Sequence, residues 1–313
     1  MAYISSLSEA KTKDSRSGLR IILSFVVLYA AIWIVRLLMG VGPNLLMKWL
    51  DASPYFRAYV GSTLNYGVGI ASYIVFPAFA LQKILHIDPR AIFFPLRKGW
   101  WHDLLFGFLW ITAVLSLFFL LEVKAGWLVL EGWNWQVLTF DAFLRTAWVG
   151  LLVNVGVAIG EETIFRGYLL IGLRTVWGKW QALLVMTIVF GLFHLPAYAE
   201  NGMQSATLTL AILLASLFGL LFGLVYLHTG SLWLPVSLHF TWNFVENDVL
   251  NLTADPTNIN LIGALTRLQS PLSATQITLG NVVVLEMLMY GIIALGVWLW
   301  LKHRRVEYPI LSK

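Results

Sequence analysis

Residues 147–170 read AWVGLLVNVGVAIGEETIFRGYLL. Apolar and small residues, broken only by Asn154, lead into two adjacent carboxylates, Glu161 and Glu162. Arg166 follows one turn later, and the apolar run then resumes. A helix that crosses a bilayer needs roughly 20 mainly apolar residues, which this stretch supplies. Ionisable groups inside hydrocarbon cost several kcal/mol unless they are paired, so these three mark a functional candidate by default.

The chain on either side repeats the apolar theme. Further spans are expected at about Leu19–Met39, Leu64–Leu81, Leu104–Leu121, Ala182–Tyr198, Ala206–Leu227, Leu232–Leu250 and Val282–Leu301, eight in all with Ala147–Leu170. The 313 residues are 59% hydrophobic and 12% charged, against about 25% charged in soluble domains. That excludes an ordinary soluble fold and a disordered chain. Fifteen Trp, nineteen Phe and eleven Tyr suit the anchoring of two membrane interfaces. The fold class read from this is all-α: a polytopic membrane protein with about eight transmembrane helices. Residues 1–18 form a polar N-terminal tail, 19–301 one membrane domain with its motifs within 147–250, and 302–313 a C-terminal tail. Val41-Gly42-Pro43-Asn44 and Leu195-Pro196 are expected to punctuate the spans.

With a cytoplasmic N-terminus, 15 of the 21 Lys and Arg fall in inside segments, and Arg36, Lys48, Arg57, Lys124, Arg145 and Arg267 fall outside. The positive-inside rule then puts both termini in the cytoplasm, as an even number of spans requires. The net charge of +5 is no nucleic-acid signal, since it belongs to these loops. Cysteine is absent, which removes disulfides, thiolate metal sites and cysteine nucleophiles.

The ionisable residues expected at membrane depth are Glu161, Glu162, His194, His239, Glu246, Asp248 and Glu286. Adjacent helical residues point about 100° apart, so Glu161 and Glu162 cannot share a task. Glu162 and Arg166 are four apart with the acid N-terminal, the favourable order for a pair. Glu161 is left without a local cation, and a carboxylate held out of water suits a general base. Alone, the segment reads equally as a structural Glu–Arg clip with a spare acid.

His194 ends Phe190-Gly191-Leu192-Phe193-His194 in an otherwise apolar span, and alone it reads as a core histidine. His239 and Asn243 share a helical face, extended by Asn247. They could meet one oxygen atom, or form the polar clamp that membrane helices use. Three spans carrying such groups together offer the acid, base and hydrogen-bonding set that hydrolysis needs. The His-Glu-x-x-His zinc motif, Gly-x-Ser-Gly, a Gly-Asp dipeptide and a phosphate-binding Walker loop are all missing.

Glu161-Glu162-x-x-x-Arg166, Phe190-x-x-x-His194 and His239-x-x-x-Asn243, in that order, resemble the CAAX-protease and bacteriocin-processing (CPBP, or Abi) intramembrane proteases. The resemblance implies an endopeptidase acting on a membrane-associated peptide or protein, with prenylated CAAX-type tails and leader peptides as substrate classes. It implies that Glu161 activates water, that His194 holds and polarises it, that His239 and Asn243 stabilise the oxyanion, and that Glu162 and Arg166 support the site. Its partners would be lipid and substrate, with no nucleic acid, and its place the cell membrane of a prokaryote. No cofactor is expected; the alternative is zinc on Glu161, His194 and His239. A non-proteolytic scaffold or bacteriocin-immunity protein of the same family is the competing reading, and a proton-coupled transporter using Glu161, Glu162 and Glu286 a third.

One geometric condition follows. If the fourth span ended near Gly160, Glu161 would lie at the membrane surface, while His194 lies about 22 Å up a helix from Lys179. The two meet only if the fourth helix runs on to about Trp177.

Overall fold

The structure, a computed structural model, describes residues 15–51, 53–200, 205–252, 258, 261–268 and 282–303. Long helices dominate it: α1 (Ser15–Trp49), α2 (Pro54–Ile84), α3 (Trp100–Ala125), α4 (from Phe140 to Trp177), α5 (Lys179–Phe193), α6 (Ser205–Thr229), α7 (from Trp233 to Val249) and α8 (Val282–His303). A short helix, Leu195–Glu200, continues the path of α5. Seven helices are long and apolar enough to cross a membrane. α7 is the remaining one; its 11 regular residues pass directly into a wide turn of 6. The chain is thus an integral membrane protein of the expected class. Large apolar side chains such as Val27, Leu37, Phe79 and Leu120 face outward, where lipid takes the place of a protein core.

The fourth helix does run on. It is continuous from Phe140 to Trp177, 38 residues or about 57 Å. Glu161 therefore sits well inside it. Within that length Glu162–Leu170 is π-helical and wholly buried. Two apolar clusters flank this segment. One gathers Ile164, Phe165, Tyr168 and Leu169 with residues of α1, α2 and α5. The other gathers Ile111, Leu115, Leu238, Phe222 and Ile293 from α3, α6, α7 and α8.

Several expectations need correction. Val41-Gly42-Pro43-Asn44 lies inside α1, with Pro43 well within the helix. Neighbouring helices and local adjustment let a membrane helix absorb a proline there. Leu195 and Pro196 open a helical turn, where a missing N–H costs nothing. Ser15–Gly18, expected in the tail, are helical; most of both tails lies outside the described residues. The all-α class holds, with one short ribbon beside the helices: Leu128–Trp133 (β1) pairs antiparallel with Ala264–Leu268 (β2), with an irregularity between Leu130 and Gly132. Finally, Arg166 is fully buried in mid-helix, so it does not count among the loop positives.

The helix ends sort onto two faces. On one, Gly18 abuts the Trp177 ring so closely that a Cβ would overlap it. There the Leu232 N–H donates to Phe93 O at 2.8 Å, and the indole of Trp233 to Pro95 O at 3.2 Å. Trp300 near the end of α8 donates to Asp103 at the start of α3, at 3.1 Å. The opposite face carries the β1–β2 ribbon, fixed by the Asn134 side chain donating to Leu261 O at 2.5 Å. The described chain ends thus share the face that holds the basic 83–98 segment. Reporter fusions after Lys124 and after Lys179 are expected on opposite sides of the membrane, with Lys179 inside; finding both on one side would break this topology.

Candidate active site

Glu161 and Glu162 stand where α4 passes from α-helical into π-helical turns. Such widened turns recur at functional sites because they re-aim neighbouring side chains. Glycine lets the helix approach α2 here: a Cβ at Gly160 would lie 2.7 Å from the Tyr73 ring.

Glu162 points inward and is fully buried. Its Oε1 accepts from Nη1 of Arg166 at 2.9 Å and lies 2.8 Å from Nδ1 of His239 on α7. Arg166, also 0% exposed, spends its other contacts on Gly219 O at 3.3 Å and on the face of Phe190, 4.2 Å from the ring centroid. The expected Glu162–Arg166 pair is therefore present, but it is the centre of a larger network that reaches α5, α6 and α7. The Glu162–His239 contact is absent from the sequence pattern, since the two residues are 77 apart.

Glu161 points elsewhere, and it is the group the histidines surround. Nε2 of His194 lies 3.8 Å from its Oε2, and Nε2 of His239 lies 3.9 Å from the same atom. That oxygen is buried and has no hydrogen-bond partner. The carboxylate as a whole is 18% exposed and His194 23%, so the cluster is reachable. His239 stands as close to Glu161 as His194 does. Asn243 lies one turn further along α7, half-buried.

Local structure explains each imidazole. α5 ends at Phe193, and the His194 N–H turns to Gly191 O. Phe190 O is thereby freed for Nδ1 of His194, at 2.8 Å. Each histidine thus gives Nδ1–H to an oxygen and aims Nε2 at Glu161. Gly191 brings α5 against α6: a Cβ there would lie 2.8 Å from the backbone oxygen of Ile212. Gly191→Ala is expected to cost about 1–3 kcal/mol as an overpacked contact, lowering the thermal midpoint in detergent and shifting His194. An unchanged midpoint would show that the two helices can separate freely.

The remaining expected polar groups serve the frame. Asp248 accepts from Asn154 at 2.8 Å, tying α7 to α4, and from Asn258 at 3.1 Å. Glu246 and Glu286 make no ion pair with the Glu161 cluster and neighbour Trp242 and Tyr290 instead. An apolar groove lined by His102, Phe106, Trp110 and Trp300 includes none of the motif residues.

Two imidazoles and a carboxylate are also donor types for catalytic zinc. Ligands about 2.0–2.2 Å from one tetrahedral ion lie about 3.3–3.5 Å from each other. The separations from Glu161 here are 3.8 and 3.9 Å. Among the described residues no group of three or more His, Asp or Glu is arranged to hold a metal ion. As they stand, these side chains do not fit one.

The family described as "Type II CAAX prenyl endopeptidase Rce1-like" matches residues 143–245. That stretch holds Glu161, Glu162, Arg166, His194, His239 and Asn243. No curated protein and no solved structure matches the chain.

Proposed function

We propose that this chain, whose residues 143–245 belong to the CAAX protease family, is an intramembrane endopeptidase that hydrolyses a peptide bond of a membrane-associated, CAAX-type substrate. The observation that carries the proposal is the convergence of two imidazole Nε2 atoms, at 3.8 and 3.9 Å, on one unpartnered carboxylate oxygen. That spacing is too long for a direct hydrogen bond. It lets one water bond both Glu161 and His194 at about 2.8 Å.

Glu161 Oε2 takes a proton from that water as its oxygen attacks the scissile carbonyl carbon. His194 Nε2 accepts the water's second hydrogen and fixes its lone pair on the carbonyl. The tetrahedral oxyanion faces His239. With its Nδ1 on Glu162, His239 in its imidazolium form directs Nε2–H at that oxyanion, and the Asn243 amide is the second donor. Glu162 accepts from both His239 and Arg166 and so fixes the ring that carries this donor. Collapse of the intermediate breaks the C–N bond, and Glu161 returns its proton to the leaving amine.

A scaffold reading gives no reason to bury a carboxylate oxygen without a partner, which costs free energy that a packing role could avoid. A relay through Glu162 is disfavoured because Arg166 and His239 already hold it. The test is proteolysis by purified protein on a farnesylated CAAX peptide, with wild type beside Glu161→Ala. Wild-type cleavage that persists after exhaustive dialysis against a chelator is the expected result. Loss with the chelator and recovery with zinc would overturn the metal-free route; cleavage by Glu161→Ala would overturn the base.

A further inference from the structure

Arg36 has no place in the reaction above, yet it lies inside α1, within the 33-residue apolar run Ser17–Trp49. A guanidinium at such depth calls for an explanation. No carboxylate pairs with it among the described residues, and its Nε is buried without a hydrogen-bond partner. Aromatic rings hold it instead. Its guanidinium carbon lies 5.5 Å from the ring centroids of both Trp33 and Tyr66. Its stem runs past Gly69, where a Cβ would meet Nε at 3.2 Å. Tyr73 is a further neighbour of its guanidinium.

This cradle adjoins the reacting groups. The ring of Tyr73 packs on Gly160, the residue before Glu161. Tyr29, two turns before Arg36 on α1, packs its ring 4.6 Å from that of Phe193, the residue before His194. Both tyrosines lie within electrostatic reach of Arg36 and of Glu161.

We infer that Arg36, set between Trp33, Tyr66 and Tyr73, is the subsite for the free C-terminal carboxylate of the substrate. The inference rests on the endopeptidase reading. A carboxylate and a planar guanidinium match in charge and in fork geometry. The aromatic flanks keep water away and strengthen the pair. An intramembrane cation then has its counter-ion only when substrate is present. A lipid phosphate offers similar chemistry, and the test separates the two.

Two farnesylated peptides of one sequence, ending either in a free carboxylate or in an amide, are titrated onto Glu161→Gln protein in detergent micelles. The acid is expected to bind at least about tenfold tighter, as suits one charge-assisted pair. The preference should shrink to about twofold or less in Glu161→Gln/Arg36→Gln and survive in part in Glu161→Gln/Arg36→Lys. Equal binding of acid and amide overturns the subsite, and is the result expected if Arg36 holds a lipid phosphate. A preference that survives Arg36→Gln also overturns it. If the Arg36→Gln protein does not fold, the acid–amide comparison and Arg36→Lys still decide. Wild-type turnover of both peptides reports separately on the endopeptidase reading: cleavage at equal kcat/KM leaves the enzyme and removes the subsite.

Discussion

Glu161→Gln protein is expected to fold normally, to unfold at the wild-type temperature within a degree or two, and to release no product from a peptide that the wild type cleaves. Gln keeps the size and shape of Glu161 but cannot take a proton from water. The side chain is partly exposed and makes no hydrogen bond through Oε2, so little stability depends on its charge. The expected loss is at or beyond the top of the about 10²–10⁴-fold range that a positioned general base supplies. Asn243→Ala serves as the graded comparison. Removing one oxyanion donor costs about 10²–10³-fold, so residual cleavage should remain. Activity and thermal midpoint measured on the same preparations separate chemistry from folding.

Glu162→Gln is expected to behave in the opposite way, with a large loss of folded protein as well as of activity. Glu162 and Arg166 are both 0% exposed, and removing one partner strands the other charge out of water. Breaking a buried pair costs about 3–5 kcal/mol, a large part of the stability of most domains. The same oxygen holds Nδ1 of His239 at 2.8 Å, so the imidazole also loses its anchor. Glu162→Leu/Arg166→Met removes both charges and is expected to recover much of the stability. It should stay inactive, because nothing then orients His239. Recovery of activity in that double variant would show that Glu162 serves the frame alone.

The apolar spans and the three motif helices are legible in the sequence because hydrocarbon imposes one simple demand, a run of about 20 apolar residues. The depth of Glu161 is legible too: it can meet His194 only if α4 extends to Trp177, and α4 does. What sequence spacing misses is non-local or depends on backbone detail. The π-helical turns of Glu162–Leu170 leave no mark in an apolar pattern, since they change which residues face one another and not how apolar they are. The contact of His239 with Glu162 joins residues 77 apart. The β1–β2 ribbon links Leu128 to Leu268 across four helices. Arg36 is a different case. Its position inside Leu19–Met39 is plain in the sequence, and counting it with the loop positives hides it. Only the rings of Trp33 and Tyr66 show how it is held there.

In the proposed reaction, water activated by Glu161 attacks the peptide carbonyl directly. A single turnover in ¹⁸O-labelled water, with reconstituted wild-type protein in excess over a farnesylated CAAX peptide, separates direct attack by water from acyl transfer to the protein. Mass spectrometry should find one ¹⁸O in the new C-terminal carboxylate of the product and none in the Glu161 side chain, and Glu161→Gln should give no product. Label in the Glu161 carboxylate would mean an acyl-enzyme. Product from Glu161→Gln at the wild-type rate would mean that Glu161 is not the base.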